Sequence, residues 1–205
     1  MFKRLKTEAA IIMERDPAAR SVWEVIFFYA GFKAVRMYRK AHKHYLKGRY
    51  LRARRIAERA RRKTGVEIHP GAKIGKGLFI DHGAGVVIGE TCEIGDFCTL
   101  YQGVTLGGTG KDTGKRHPTL GDHVMVGAGA SILGPFTVGD HAKIAAGAVV
   151  LAEVPPHGTA VGVPARVVKV AGKPADELDQ IRMPDPVAQE LCRLRQRIEQ
   201  LEKQR

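Results

Sequence analysis

An aliphatic residue recurs every six positions through the middle of this 205-residue chain, and this repeat limits the possible folds more than any other feature. The repeat slips twice and resumes each time, with its aliphatic positions at Ile68, Ile74, Ile80, Ile88, Ile94, Leu100, Leu106, Leu120, Val126, Ile132, Val138, Ile144 and Val150. A period of six fits neither an α-helix, with about 3.6 residues per turn, nor a single strand, with its period of two. It is typical of a coil with three flat faces, each supplying one short strand and one inward aliphatic side chain.

Three such faces make a coil of three hexads, and one turn of the sequence supports that length. Gly121-Asp122-His123 recurs three hexads later as Gly139-Asp140-His141, so the same turn would stack on itself in consecutive coils. Small or apolar residues stand two positions before most of the aliphatic ones and would fill the corners: Ala72, Cys92, Cys98, Val104, Ala130, Ala142 and Ala148. The sequence therefore predicts a mainly β protein, a parallel β-helix of hexapeptide repeats.

The repeat region, residues 65–170, separates two helical parts. Residues 1–64 have apolar positions three and four apart, which predicts a helical domain with a helix start near Asp16-Pro17. Residues 171–205 form a tail that begins with Gly and Pro and ends in a short amphipathic helix with apolar residues at Leu191, Leu194, Ile198 and Leu201. Barely two heptads are too few for an independent coiled coil, so we expect this helix to pack on a symmetry mate or on the protein body.

The net charge of +13 is concentrated at the N-terminus. Residues 1–65 carry 19 Lys and Arg against 5 Asp and Glu, whereas residues 66–205 carry 15 against 16. The excess peaks in KGRYLRARRIAERARRK, residues 47–63, where no aromatic interleaving or known nucleic-acid motif accompanies it. We interpret it as a solvated helix face that could attract a small polyanion, and expect no nucleic-acid or membrane partner.

The compartment is predicted to be the cytoplasm. The strongest apolar run, residues 22–32, contains Glu24 and is too short to span a bilayer, and the N-terminus lacks the pattern of a secretion signal. Cys92, Cys98 and Cys192 are odd in number and lack metal-ligand spacing, which favours a reducing compartment.

Charged residues occupy both interruptions of the repeat. In FIDHGAGVVIGE, residues 79–90, the rhythm slips at Asp81-His82, and in GGTGKDTGKRHP, residues 107–118, a loop is extruded. With EIHPGAKIG and GVPAR, these segments resemble the serine O-acetyltransferase family of hexapeptide acyltransferases from about Arg15 to about Val170. The resemblance implies a left-handed β-helix, homotrimers that in part of the family pair into hexamers, and transfer of acetyl from acetyl-CoA to L-serine, the first step of cysteine biosynthesis.

Acetyl transfer from a thioester to a hydroxyl needs a base, a group that holds the base, and donors for the oxyanion. His82 is the best candidate for the base, because imidazole titrates near neutral pH. Glu67 lies a little less than three hexads earlier, close to one coil, so its carboxylate could fix the tautomer of His82. The alternative for His82 is a plain turn histidine like His123.

The resemblance also implies residues that hold the two substrates. Arg116 would clamp the serine carboxylate, with His117 beside it, and Asp81 would meet the ammonium group. Asp16 matches a further aspartate that holds the amino acid, and the other interpretation, a helix cap before Pro17, is compatible with that role; Glu90 is a weaker match. Residues that match the groove for acetyl-CoA are Gly108, Thr109 and Ala128, with a backbone N–H near Gly108 as an oxyanion donor. Three cations could meet the CoA phosphates or remain solvated: Lys111, Lys143 and Arg166.

The chain departs from the family pattern at both ends. Its helical part is shorter than in the longer members, which weakens the expectation of a hexamer. The chain ends EKQR where the family often has an isoleucine that docks into O-acetylserine sulfhydrylase, so no complex by that route is expected. Feedback inhibition by L-cysteine is expected from the resemblance.

Two other functions share this scaffold. Another hexapeptide O-acetyltransferase, acting on homoserine, a sugar or a xenobiotic, would use the same base and groove, but Asp81, Arg116 and His117 suit a small zwitterion. A metal-dependent lyase would need three zinc histidines with a close pair on one coil, and the sequence has no such pair. His123 and His141 are interpreted as stacked turn residues, and no metal is expected.

Overall fold

A computed structural model describes residues 2–110, 113–168 and 186–202. The helices within these ranges are α1 (Phe2–Arg15), α2 (Val22–Phe28), α3 (Ala30–Tyr45), α4 (Tyr50–Thr64) and α5 (Pro186–Glu202). Between Glu67 and Val168 the chain winds into successive triangular coils, and most strands hydrogen-bond to the equivalent strand of the next coil. The fold is a left-handed parallel β-helix with helices at both ends of the chain, as the sequence predicts.

The strands form three sheets, one for each face of the coil. Sheet 1 consists of β1 (Glu67–Ile68), β4 (Val87–Ile88), β7 (Thr105–Gly107), β10 (Ser131–Leu133) and β13 (Val149–Val150). Sheet 2 consists of β2 (Lys73–Ile74), β5 (Glu93–Ile94), β8 (Thr119–Leu120) and β11 (Thr137–Val138). Sheet 3 consists of β3 (Phe79–Ile80), β6 (Thr99–Leu100), β9 (Met125–Val126), β12 (Lys143–Ile144), β14 (Thr159–Gly162) and β15 (Ala165–Val168). The pairing is parallel except between β14 and β15, which are antiparallel.

The hexad repeat predicts the register of these sheets correctly. Each predicted aliphatic residue is the second residue of a strand, and equivalent positions pair between coils, as Ile132 does with Val150. Ile74 is half-buried, and the other aliphatic positions are buried in one continuous core. The predicted corner residues are buried too, including the thiols of Cys92 and Cys98. Burial raises the pKa of each thiol to about 12, which keeps both in the protonated form.

The two interruptions change the length of the coil in different ways. At the first, Ile68 pairs with Ile88, so this coil is two positions longer than the next, in which Ile88 pairs with Leu106. At the second, Leu106 of β7 and Leu120 of β8 stand more than two hexads apart instead of one, and the extra chain leaves the coil as a loop. The interruptions therefore add material outside the core without shifting the sheets.

The N-terminal helices close the first coil. Ala34, Val35 and Tyr38 of α3 belong to the same hydrophobic cluster as the β-helix core. The backbones pack so closely that a Cβ at Gly31 would overlap the carbonyl oxygen of Ile80. At the end of α1, the guanidinium of Arg15 donates to Gly77 O at 3.1 Å and lies over the ring of Phe79.

The predicted helix start near Asp16-Pro17 is wrong. The helix α1 ends at Arg15, and the Asp16 carboxylate accepts a hydrogen bond from the Ala18 amide at 2.8 Å, closing a local turn. The next helix begins at Val22, where Ser21 Oγ accepts from the Glu24 amide at 3.1 Å and the Glu24 carboxylate accepts from the Arg20 amide at 2.9 Å. Asp16 and Ser21 are both of a type that caps helices, but the cap of α2 is Ser21, and Glu24 binds the amide of the residue before Ser21. The alternative interpretation of Asp16 as a helix cap is therefore also wrong.

The exposed apolar residues outside the β-helix lie mainly on helices. Leu51 of α4 is 89% exposed, and α5 leaves its whole apolar row about half exposed. No helix within the described ranges is both long and apolar enough to cross a membrane.

Candidate active site at two corners of the β-helix

The turns between sheets stack along three edges of the β-helix. The His82 corner joins sheet 3 to sheet 1 and begins with Asp81 and His82, which follow β3. The Arg116 corner joins sheet 1 to sheet 2 and carries Glu90, Thr91 and the extruded loop with Arg116 and His117. The third corner, named the ladder corner, joins sheet 2 to sheet 3 and carries Phe97, His123, His141 and His157. Most of the predicted site residues belong to the first two corners; Asp16 follows α1, and Lys143 and Arg166 lie on strands of sheet 3.

His82 projects from its corner into solvent. The Asp81 amide donates to Leu100 O at 2.9 Å, which extends the hydrogen bonding between β3 and β6. His82 then adopts a left-handed backbone with φ of 57°. The His82 side chain is 74% exposed, and its Nε2 lies 4.0 Å from Asp81 Oδ1. The additional residues of the first slip thus form a turn that displays an imidazole beside a carboxylate.

Glu67 lies at the same corner as His82. It is the first residue of β1, its side chain is exposed, and its amide donates to Val86 O at 2.8 Å. Just before it, Gly65 O accepts from the Gly85 amide at 3.0 Å, so the start of the first coil lies against the turn that carries His82. Within the described residues no hydrogen bond joins Glu67 to His82, and their direct pairing stays a prediction.

Asp16 and Asp81 both lie near Tyr29, which the sequence did not single out. The Tyr29 hydroxyl donates to Asp16 Oδ2 at 2.6 Å. The pKa of Tyr29 is raised, first by burial and then by Asp16, with Asp81 contributing through its charge. Two carboxylates around a neutral phenol make this side of the His82 corner suitable for a cation such as an ammonium group.

At the Arg116 corner the charges are paired. Arg116 Nη2 lies 3.4 Å from Glu90 Oε2, and the Tyr45 hydroxyl donates to Glu90 Oε1 at 3.1 Å. The side chains of Arg116 and Glu90 are 37% and 38% exposed, so this ion pair is open to solvent. Arg116 and Glu90 therefore lie together at this corner, and a ligand anion could reach the guanidinium.

His117 is held much more tightly than its neighbour. It is only 7% exposed, and its Nδ1 accepts a hydrogen bond from the Thr91 amide at 3.2 Å. An amide N–H can only donate, so Nδ1 carries no proton and the neutral ring has its hydrogen on Nε2. Burial lowers the pKa of His117, and the Arg116 charge lowers it further. A Cβ at Gly89 would overlap this ring, so the loop can dock there only against a glycine.

The described residues predicted to hold acetyl-CoA are spread over the two corners and sheet 3. Gly108 and Thr109 are exposed beside Arg116, and a Cβ at Gly108 would lie 3.0 Å from Arg116 O. Ala128 stacks on the His82 corner two coils beyond His82, and Lys143 and Arg166 lie on β12 and β15 of sheet 3. Lys111 lies outside the described residues.

One chain thus carries two half-sites on different edges. The His82 corner gathers Glu67, Asp81 and His82 near Asp16, whereas the Arg116 corner gathers Glu90, Arg116 and His117. Sheet 1 lies between the two corners, and the described residues give no contact between the two groups.

The third corner provides an internal comparison for His82. His123, His141 and His157 share its left-handed backbone, but their rings stack with centroids 4.8 and 4.9 Å apart, continuing from Phe97. The stacking predicted for His123 and His141 is confirmed, and His82 is not part of it. Among the described residues, no group of three or more His, Cys, Asp or Glu is placed to hold a metal ion.

Comparison with known proteins points to one family. The model of the bacterial transferase hexapeptide family (six repeats) matches residues 117–152. Serine acetyltransferases of Staphylococcus aureus (strain Mu50) and Staphylococcus epidermidis (strain ATCC 12228) are 50% and 51% identical to the chain over 200 residues, which is 97% of this chain and 94% of each relative.

Solved structures with bound ligands show the same fold. The Neisseria gonorrhoeae serine acetyltransferase in complex with serine has a TM-score of 0.77 at 45% identity and covers 81% of this chain and 68% of its own. A serine acetyltransferase in complex with cysteine has a TM-score of 0.81 at 43% identity, covering 86% and 69%. Another in complex with CoA has a TM-score of 0.76 at 41% identity, covering 80% and 68%.

Proposed function

The chain belongs to the serine acetyltransferase family, and we propose that it transfers the acetyl group of acetyl-CoA to the hydroxyl of L-serine, giving O-acetyl-L-serine and CoA. The observation that carries this proposal is the 50% identity to serine acetyltransferases over 97% of the chain. The placement of ionisable residues at both interruptions of the repeat is consistent with it.

His82 is the proposed general base. Its imidazole would take the proton of the serine hydroxyl as the oxygen attacks the thioester carbonyl. When the tetrahedral intermediate collapses, the same proton would pass to the CoA sulfur, so no covalent acyl-enzyme is needed. The exposed position of His82 supports this role, because the substrate hydroxyl can reach the ring. Glu67, at the same corner, would hold the imidazole and stabilise its charged form.

The serine would be held by charges of opposite sign at its two ends. Arg116 would bind the carboxylate, with a hydrogen bond donated by Nε2 of His117. Asp81 and Asp16 would bind the ammonium group, which suits the negative surroundings of Tyr29. Glu90 would act indirectly, since its carboxylate holds the Arg116 guanidinium near its position.

Acetyl-CoA would lie along the stacked turns of the His82 corner. Ala128 lies on this edge, and Lys143 and Arg166 lie further from His82 on the adjoining sheet 3, with coils spaced by about 4.8 Å. The thioester would thus face His82 while the phosphates reach the cations further along. A backbone N–H near Gly108 is the proposed donor to the oxyanion.

The two half-sites would be completed in a homotrimer. A ring of three identical chains places one corner of each chain against a different corner of the next. Each site would then combine the His82 corner of one subunit with the Arg116 corner of its neighbour. The separation of the two corners within one chain supports this arrangement.

The cellular setting follows from the reaction. We propose a cytoplasmic enzyme at the first step of cysteine biosynthesis from serine, in keeping with the buried free thiols of Cys92 and Cys98. L-cysteine, which resembles serine in its charges and size, would compete at the serine site, as the cysteine complex of a related enzyme suggests.

The test is release of free CoA from acetyl-CoA with L-serine, L-homoserine or a panel of sugars as the acceptor. We expect turnover with L-serine and inhibition by L-cysteine. Turnover with a different acceptor alone would keep the acetyl donor and overturn the serine assignment.

A further inference from the structure

We infer that Thr91 is a positioning residue that holds the Arg116 corner in its working geometry and fixes the tautomer of His117. The inference rests on the proposed function, because it assigns the orientation of the serine-binding residues to a side chain outside the substrate contacts. Thr91 follows Glu90 in the turn between sheets 1 and 2 and is partly buried.

The Thr91 hydroxyl uses all of its hydrogen-bonding capacity on the end of the extruded loop. Its oxygen accepts from the amides of Arg116 at 3.1 Å and His117 at 3.2 Å. A hydroxyl offers two acceptor positions and one donor. The two amides occupy the acceptors, so the hydroxyl hydrogen is left for Nδ1 of His117, which lies 2.9 Å away.

The Thr91 backbone holds the same three loop residues. Its amide donates to Nδ1 of His117, and its carbonyl oxygen accepts from Nζ of Lys115 at 2.8 Å. Lys115, Arg116 and His117 are thus all bound to one residue on the rigid coil. The rest of the loop needs no fixed path for Arg116 and His117 to be held in place.

These bonds decide the protonation of His117. The amide and the hydroxyl of Thr91 share the single lone pair of Nδ1, so the proton of the neutral ring stays on Nε2, where it can be donated to a substrate carboxylate. The other titratable groups that act on His117 are Arg116 and Lys115 on its loop, Glu90 on the facing turn and His69 after β1. Glu90 alone of these favours the charged ring, so the pKa of His117 remains below its ordinary value.

The experiment replaces Thr91 by Val, which keeps the shape and removes the hydroxyl, and by Ser, which restores the hydroxyl. Thr137→Val, on the exposed strand β11 of sheet 2, is the matched control. For Thr91→Val we expect the KM for L-serine to rise about 5–10-fold with a smaller change in kcat. Losing a donor to Nδ1 should also raise the pKa of His117, because that hydrogen bond stabilises the neutral ring.

A readout without substrate separates this inference from the proposed function. Nitrogen-15 NMR of the His117 ring in the ligand-free protein reports which nitrogen carries the proton and where the ring titrates. We expect an unprotonated Nδ1 in the wild type and in Thr91→Ser, and a higher titration midpoint in Thr91→Val. An unchanged titration and KM in Thr91→Val would overturn the inference. Absence of serine turnover in the wild type would instead overturn the proposed function, and leave the NMR result to decide on Thr91.

We also propose that the three α5 helices of the homotrimer pack in parallel, each against α5 of a neighbouring copy of the chain. Leu191, Leu194, Ile198 and Leu201 are 51%, 50%, 54% and 51% exposed, so this row has no cover within the described residues. Their spacing of three, four and three residues places Leu191 and Ile198 at a positions and Leu194 and Leu201 at d positions of a coiled coil.

The charges beside this row favour an identical partner. Glu190 and Arg197 occupy g positions, and Arg195 and Glu202 occupy e positions. In a parallel pair each g residue faces the e residue five positions later in the other helix, which gives Glu190 with Arg195 and Arg197 with Glu202. Both pairs are attractive. A helix of 17 residues is marginal alone, but attachment to an oligomer raises its local concentration to the millimolar range.

Cysteine cross-linking of the full-length protein tests this packing. In a Cys192→Ser background, Leu194→Cys puts a thiol at a d position and Gln196→Cys puts one at an outward f position. We expect mild oxidation to join chains through position 194 and not through 196. Arg195→Glu should weaken the cross-link, and adding Glu190→Arg should restore it. No cross-link at 194, or equal cross-linking at both positions, would overturn the proposal.

Discussion

The two corners that carry the candidate site are built in opposite ways. At the Arg116 corner, His117 is 7% exposed and the hydrogen-bonding positions of the Thr91 hydroxyl are all bound to the loop. At the His82 corner, the His82 side chain is 74% exposed and lies 4.0 Å from the Asp81 carboxylate. The chain therefore fixes one half-site by itself and leaves the other open.

Under the proposed function, this difference divides binding and catalysis between the two corners. Binding an amino acid needs charges in fixed positions, because preorganised groups lose less freedom when the ligand binds. A base that takes and returns a proton has to meet two substrates in turn, which requires an accessible ring. Substitutions at the His82 corner should thus reduce activity and leave stability unchanged. Substitutions at the Arg116 corner should reduce both activity and stability.

The largest expected effect is on catalysis at the open corner. His82→Ala should lower kcat by about 10²–10⁴-fold, the usual contribution of a general base. The His82 side chain is mostly exposed, and the left-handed backbone of this residue is kept in the variant. The free energy of unfolding should therefore stay within about 0.5 kcal/mol of wild type. Steady-state kinetics and urea unfolding measure the two quantities. A fall of less than tenfold in kcat would remove His82 as the base.

The next largest effect is expected at the Arg116 corner, where one substitution should reduce both stability and the binding of L-serine. Gly89→Ala places a Cβ where the His117 ring lies, so the loop would be displaced, with a cost of about 1–3 kcal/mol in stability and a higher KM for L-serine. Gly147→Ala is the control, since its Cβ meets open space and only the positive φ of 68° is strained. Equal KM values for the two variants would show that the loop does not depend on its contact with Gly89.

The smallest effect on activity should come from the ladder corner. His141→Ala keeps the backbone type of His82→Ala but removes one ring from the stack, at a cost of about 1 kcal/mol in stability. Its kcat and KM should match wild type, as shown by the same kinetic assay. A loss of activity comparable to that of His82→Ala would mean that the two histidines do not differ as proposed.

The repeat alone predicts most of the fold, because a parallel β-helix stacks equivalent residues. Once Ile68 and Ile88 are assigned to the same face, sheet 1 and its register follow. The interruptions were recognisable for the same reason, since a slip in so regular a pattern must leave the coil. The helical part was predicted less well, as the boundary near Asp16 depends on which of two local caps forms.

The site residues that could not be predicted from the sequence are those whose hydrogen-bonding partners lie far away along the chain. Tyr29, between α2 and α3, donates a hydrogen bond to Asp16, and Tyr45 donates one to Glu90, which is 45 residues away in the sequence. In the sequence, Thr91 stands between Glu90, a candidate substrate-binding residue, and Cys92, a predicted corner residue, and nothing in the repeat distinguishes it. Its importance follows only from the return of the loop, which brings Arg116 and His117 onto its hydroxyl.

The central claim is that a complete site needs the His82 corner of one chain and the Arg116 corner of another. The most direct measurement mixes subunits of His82→Ala with subunits of Arg116→Ala, each inactive alone, by joint refolding or co-expression. We predict that equal mixing restores about one quarter of wild-type activity, because that share of sites combines an intact His82 with an intact Arg116 from different chains. Mixed oligomers with no recovered activity would contradict the account and place both groups of each site on one chain.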